Sequence, residues 1–324
     1  MRVAFLGSPP FATEVFAALV KGGIDIVGLV TAPPRRAGRG RKEVPNPLVE
    51  IAIAAGIPVL RPDSALNADF KASFAQWGAE VGVVASYGQI LDAELLAIPR
   101  CGCLNLHGSL LPRWRGASPI QAALLAGDKE SGVSVQRMAL ALDSGNVIAE
   151  KPLPIGPRET APELFERLAK VGAKLVLEVV RAGAKQGDFP EGQPQDESAV
   201  TVCKRIHKKE GQLDWSSSAT DVDRRVRAMA GWPCALTTLP DGTALKVHDG
   251  EPRNREVVST SSDNTVADAE PGTILSLDDG ISVVCGEDVF LITALQRQGK
   301  ARLDSGEFLR GVALKVGDRL GMES

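Results

Sequence analysis

At 324 residues the chain exceeds the usual size of one domain, roughly 100–200 residues, so two domains are expected, with one large barrel as the alternative. Hydrophobic residues at 44% and charged residues at 24% exclude a largely disordered or fibrous chain, and a formal charge of −3 excludes a global attraction to nucleic acid, so any RNA binding needs a local basic patch. Five cysteines without paired CxxC spacing argue against a zinc site or a disulfide framework and fit a reducing cytosol.

The N-terminus carries one arginine and a short apolar stretch closed by Gly7 and Pro9, too little for a signal peptide. No apolar run approaches the roughly 20 residues that cross a bilayer, so the expected place is the cytoplasm. Residues 3–6 form an apolar run stopped by Gly7, and 11–20 then repeat apolar residues at helical spacing: strand, tight turn, helix. Residues 24–30, 58–60, 81–85 and 103–106 read as further strands, with helices predicted over 47–55 and 68–76. This alternation predicts a Rossmann-like α/β domain built on a parallel sheet. Later strands are expected at 132–138 and 147–152, and a helix over 161–181 closes the domain.

The composition of 185–198 is polar and rich in Gly and Pro, as in linkers. The predicted division is therefore a catalytic domain over 1–184, a linker over 185–206 and a second domain over 207–324. After one helix at 219–229, short β-type runs are broken by the turn pairs Asp241-Gly242, Asp279-Gly280 and Gly286-Glu287, which predicts hairpins and an OB-like antiparallel β-barrel. Residues 259–269 read as an exposed loop.

Several motifs are missing from the sequence. The first turn, Gly7-Ser8-Pro9-Pro10, is not GxGxxG, no GxxxxGK[ST] loop occurs, and Ser109 is not in a GxSxG elbow. His107, His207 and His248 are scattered, so neither NAD nor a catalytic metal is expected. The informative segment is Cys103–Gly108. Alternation along a strand puts Leu104 and Leu106 on one face and Asn105 and His107 on the other, at the carboxyl end where ligands bind in open α/β sheets. Taken alone, an Asn or His near a strand end is more often a satisfied structural group.

The continuation changes that weighting. The pattern NxHxSLLPxxRG, read from Asn105 to Gly116 and followed by Asp143-Ser144-Gly145, resembles the 10-formyltetrahydrofolate-dependent formyltransferases, and over most of the chain the branch that acts on methionyl-tRNA. The resemblance implies that Asn105, His107 and Asp143 are catalytic. It implies that Ser109, Leu110, Leu111 and Pro112 bind the folate, with Tyr87 and Gly88 near the pterin. It also implies 10-formyltetrahydrofolate as formyl donor and no metal; the expected state is a monomer. In that chemistry an amide such as Asn105 stabilises a developing oxyanion, His107 donates to the same oxygen or shuttles a proton, and Asp143 holds the imidazole in one tautomer, favours its protonated form, or accepts the amine's proton. Gly7–Ala12 and Gly211–Trp215 resemble further family segments; for Trp215, packing between the domains is expected rather than catalysis.

The acceptor is a separate question, because related formyltransferases act on glycinamide ribonucleotide and on amino sugars attached to nucleotides. Arg35, Arg36, Arg39, Arg41 and Lys42 crowd a glycine-rich loop on the strand-end side, suited to RNA phosphates and unpaired bases. Arg205 and Lys208 lie in a second basic stretch. The resemblance assigns both to initiator methionyl-tRNA; the alternative is a UDP-amino-sugar formyltransferase. A chain for glycinamide ribonucleotide would end near the first domain, and a catalytically dead RNA-binding protein would have no need of Asn105, His107 and Asp143.

Overall fold

The computed structural model describes residues 1–34, 36–37, 42–43, 45–258 and 269–321. Packing divides the chain into two units: one of residues 1–119, 129–155 and 164–204, the other of residues 120–128, 156–163 and 205–324. Two short segments from the first half of the sequence therefore group with the second unit.

In the first unit, strands and helices alternate as β1 (Val3–Gly7), α1 (Phe11–Lys21), β2 (Ile26–Val30), β3 (Arg36–Ala37), β4 (Lys42–Glu43), α2 (Pro47–Ala54), β5 (Val59–Leu60), α3 (Ala68–Gln76), β6 (Val81–Ala85), α4 (Ala93–Ala97), β7 (Cys103–His107) and β8 (Arg115–Gly116). The helix α5 (Pro119–Ala126) belongs almost wholly to the second unit. Then come β9 (Glu130–Arg137), β10 (Val147–Pro154), α6 (Ala161–Gln186) and β11 (Val202–Cys203).

Every residue of β1 and β6 is buried, because a central parallel strand is covered on both faces and so reads as a continuous apolar run. Helix α1 turns Phe11, Ala12, Val15, Phe16 and Leu19 inward at helical spacing. Side chains of Asn46, Asn67 and Asp92 cap α2, α3 and α4, each worth about 1 kcal/mol.

The seven-stranded sheet runs β10-β9-β7-β6-β1-β2-β5. The five strands from β7 to β5 are parallel, as expected, but β9 is antiparallel to β7 and β10 to β9. A mixed sheet of this kind is common where an edge is not tied down by a helical crossover, and residue pattern does not distinguish the two pairings.

The stretch composed like a linker is folded onto the first unit: α6 extends to Gln186, Phe189 is buried, and β11 pairs in parallel with β8.

The second unit holds α7 (Ala219–Ala228), β12 (Ala235–Thr238), β13 (Ala244–Arg253), α8 (Arg255–Val258), β14 (Ile274–Ser276), β15 (Ile281–Val284), β16 (Val289–Arg297), β17 (Leu303–Asp304) and α9 (Ser305–Gly311). Its antiparallel sheet follows β12-β13-β16-β15-β14, with β17 on β16, forming an OB-like half-barrel. The three turn pairs read from the sequence each separate successive strands of this sheet. Residues 259–268, read as an exposed loop, lie outside the described residues. Trp215 is buried in this unit's own core, its indole N–H donating to Thr237 Oγ1 at 3.0 Å, so its packing is internal to the unit rather than between domains.

Candidate active site

Asn105 pairs in register with Gln136 across β7 and β9, and His107 with Ser134. Directly opposed residues share a face, so four polar side chains stand side by side while Leu104 and Leu106 pack behind them. Asp143 reaches this face from the loop between β9 and β10. Its Oδ1 accepts from Asn105 Nδ2 at 3.3 Å and from Gln136 Nε2 at 3.0 Å. Its Oδ2 accepts from the Gly116 main-chain N–H at 2.9 Å and stands 3.6 Å from His107 Nδ1.

Gly116 lets β11 lie close against β8: φ is +119°, and a Cβ there would lie 2.1 Å from the Cys203 carbonyl oxygen.

His107 is buried, with Nε2 2.8 Å from the Trp114 carbonyl oxygen. A carbonyl only accepts, so Nε2 carries the proton and Nδ1 of the neutral ring is the free base, turned toward Asp143. The tautomer, expected from the sequence to be chosen by Asp143, is instead chosen by the main chain of Trp114. Protonation of Nδ1 would create a charge-assisted contact with Asp143. One Asn105 amide hydrogen is turned to Asp143, and the other has no partner among the described residues. The cluster therefore offers an oxyanion donor, a base and a carboxylate beside it.

The residues expected to bind folate differ in what they leave available. Ser109 is buried and donates to the Arg113 carbonyl at 2.5 Å, and buried Leu111 gives its N–H to Ser134 Oγ at 3.0 Å, so both build the turn. Leu110 and Pro112 remain half-exposed. Tyr87 lies in the apolar core; burial pushes its phenol up to about 12, and its hydroxyl has no hydrogen-bond partner among the described residues. Gly88 is exposed. Because β6 and β7 are parallel neighbours, this loop follows the strand end beside His107. Ile90 after it, and Leu140 and Leu142 before Asp143, are large apolar side chains left 80%, 72% and 67% exposed.

Of the basic loop, Arg35, Arg39 and Arg41 lie outside the described residues. Arg36 and Lys42 fall in β3 and β4, which pair antiparallel. Arg205 and Lys208 are exposed on the second unit. Among the described residues no group of His, Cys, Asp and Glu could hold a metal ion, and no helix is long and apolar enough to cross a membrane.

The sequence reading missed Ser134, Gln136, Gln195 and Thr201. The first two carry a legible signal, polar residues at i and i+2 inside the apolar strand Val133-Ser134-Val135-Gln136. The other two sit in the linker-like stretch and carry none.

Residues 1–180 match the family model Formyl transferase, and residues 205–313 match Formyl transferase, C-terminal domain. Methionyl-tRNA formyltransferase of Acidiphilium cryptum is 42% identical over 99% of this chain and 100% of its own length. That of Bdellovibrio bacteriovorus is likewise 42% identical, over 99% of both. Among solved structures, HypX from Aquifex aeolicus in complex with tetrahydrofolic acid shares the fold, with a TM-score of 0.63 at 17% identity over 98% of this chain; this chain spans 50% of HypX. The sugar 3N-formyl transferase WlaRD, solved in the presence of dTDP and 5-N-formyl-THF, also gives a TM-score of 0.63, at 14% identity over 93% of this chain and 99% of its own. Two family domains in order, and relatives alike from end to end, place the chain in the formyl transferase family, among the methionyl-tRNA formyltransferases.

Proposed function

We propose that the chain transfers the formyl group of 10-formyltetrahydrofolate to the α-amino group of methionine on initiator tRNA, acting in the cytoplasm as a monomer. The observation that carries this reading is the meeting of the Asn105 amide, the His107 ring and the Asp143 carboxylate, at 3.3 and 3.6 Å, on one face at the end of β7. When bound, the folate supplies the one-carbon unit and a departing nitrogen. The residues around the site suit it: Ile90, Leu140 and Leu142 present apolar surface to a flat ring, and the main chain of Tyr87–Gly88 and of Ser109–Pro112 borders the same strand ends.

Asn105 donates its second amide hydrogen to the negative charge that grows on the formyl oxygen, a contact worth about 3–4 kcal/mol. His107 Nδ1 takes the proton of the attacking amine as its bond to the formyl carbon forms, and gives a proton to the folate nitrogen as the bond from that nitrogen to the formyl carbon breaks. Asp143 stabilises the resulting imidazolium, while the Trp114 carbonyl keeps the opposite nitrogen from acting as the base. On the acceptor side, Arg35, Arg36, Arg39, Arg41 and Lys42 meet the end of the acceptor stem, and Arg205 and Lys208 meet its phosphates. Arginine suits such contacts by pairing with phosphate in a fork and stacking on unpaired bases.

Labelled formyl transfer, run in parallel with charged initiator tRNA and with a UDP-amino-sugar, tests the reading. Label should appear on the methionyl-tRNA at a rate that falls with salt. Transfer to the amino sugar alone would overturn the acceptor, and transfer to neither would overturn the activity.

A further inference from the structure

Two non-glycine residues of the site hold left-handed backbone: Trp114, with φ 59°, and Asp143, with φ 49°. Such conformations cost on the order of 1–3 kcal/mol each and persist only where neighbours over-determine them. In both cases one segment, residues 195–203, whose sequence reads as a linker, supplies hydrogen bonds to that backbone.

Thr201 makes three bonds to the turn that carries Trp114. Its Oγ1 accepts the Trp114 N–H at 2.8 Å, its carbonyl accepts the Arg115 N–H at 2.9 Å, and its own N–H donates to the Pro112 carbonyl at 3.3 Å. Trp114 in turn offers its carbonyl to His107 Nε2. Gln195 does the corresponding work for the carboxylate: its Nε2 donates to the carbonyls of Asp143 at 2.8 Å and Gly145 at 2.7 Å. Its Oε1 accepts from Arg115 Nε at 2.9 Å, and the buried Arg115 is held at its far end by Glu197, 2.7 Å from Nη2. The pairing of β11 with β8 closes the arrangement.

We infer that residues 195–203 are a structural part of the active site, with Thr201 positioning His107 through Trp114 and Gln195, anchored by Arg115, positioning Asp143. The segment touches neither the imidazole nor the carboxylate itself. It acts on the main chain behind them, fixing which imidazole nitrogen is the base and where the carboxylate stands. The inference rests on the formyl-transfer reading for its kinetic consequences, but its structural claim stands apart from that activity.

The test uses the full-length protein and isosteric changes. Gln195→Glu keeps the shape and the acceptor for Arg115, but sets an oxygen against the two carbonyls it now serves. Thr201→Val removes the acceptor for Trp114, and Thr201→Ser restores it. Misplacement of reacting groups by a fraction of an ångström to an ångström should lower kcat roughly 10- to 100-fold in Gln195→Glu and Thr201→Val. KM for both substrates should stay within a few-fold, and Thr201→Ser should recover most of the loss.

Independently of activity, nitrogen-15 spectra should show His107 with its proton on Nε2 in the wild type. In Thr201→Val the population should become mixed. A wild-type ring protonated on Nδ1, or folded Gln195→Glu and Thr201→Val variants with unchanged kcat, would overturn the proposal. Absence of formyl transfer in the wild type would count against the function alone, since the spectra still decide the positioning claim. If Thr201→Val fails to fold, Gln195→Glu still decides, because a folded Gln195→Glu with unchanged kcat overturns the proposal.

Discussion

On the site face of the first unit, Asn105, His107, Ser134 and Gln136 lie beside one another, and each meets a loop or a carboxylate. The second unit's sheet does the reverse: Val247, Ile281, Val283, Phe290 and Ile292 form one apolar cluster, into which the hydrogen-bonded pair Trp215 and Thr237 is set. A buried polar group is costly unless satisfied, so a row of them, one with an amide hydrogen still unpartnered among the described residues, marks a surface kept for chemistry. An apolar cluster marks a surface kept for stability. The prediction is that substitutions in the two places separate, one in turnover and the other in folding.

The largest effect expected is on stability in the second unit. Phe290 is fully buried, and its ring centroid lies 6.4 Å from that of Trp215. Phe290→Ala should cost about 3–5 kcal/mol through lost burial and the cavity left behind. The midpoint of denaturant unfolding should fall accordingly, while turnover per folded molecule stays near wild type. A large kcat loss in the folded variant would break the separation.

Next in size comes the site itself. Asn105→Ala should lower kcat by about 100- to 1,000-fold, with little change in folate KM or in melting temperature. His107→Ala and Asp143→Asn should act the same way. If two of these three, properly folded, retain near-normal turnover, the polar face is structural and the contrast between the units is wrong.

What the sequence showed of this contrast follows from how far each signal extends along the chain. Val81–Ala85 and Ala68–Gln76 match the structure at both ends, because a two-faced buried strand and a helix with an Asn cap are local facts. The three hairpins of the second unit were legible for the same reason, since turn residues announce themselves. The direction of β9 and β10 was not, because an apolar run reads alike in parallel and antiparallel pairing.

In the site, Asn105, His107 and Asp143 came through a long motif, and the structure brings them together. Their supports did not. Gln195 is one glutamine in a stretch without periodicity, and its partners are main-chain carbonyls 50 and 52 residues away in sequence. The Trp114 carbonyl is invisible for a simpler reason: every residue has one.

A smaller effect sharpens the comparison from within the second unit. Trp215→Phe removes the N–H that Thr237 accepts and leaves a buried hydroxyl short of a partner, at a cost of about 1–3 kcal/mol. Thermal unfolding should register this and kcat should not. Pairing the change with Thr237→Val should recover part of the loss, because removing both polar groups leaves neither unsatisfied.

The smallest effect returns to the first unit, at the end of its sheet opposite the site. Glu80 precedes β6. One of its oxygens accepts from the Arg2 main-chain N–H at 2.8 Å, and the other from Arg100 Nη2 at 2.6 Å and Nε at 3.2 Å. The Arg100 hydrogen bonds first, and then the Arg2 N–H, hold its carboxyl down from the ordinary 4.5 to about 2. A carboxyl depressed on folding stabilises the folded state above its unfolded value, and that contribution is lost as pH falls from about 4.5 through about 2. Arg100 is well exposed, so solvent and salt screen the pair and the gain is modest. Glu80→Gln should thus unfold at a slightly lower urea midpoint than wild type at pH 7, and the two should converge as the pH falls through that window. High salt should narrow the gap at neutral pH. Formyl transfer should not change, because these polar groups close a surface at the strand starts, whereas the candidate site lies at the end of β7. A drop in kcat with Glu80→Gln would mean that polar groups at the two ends of the sheet are coupled, and that burial with several partners does not by itself distinguish a working face from a structural one.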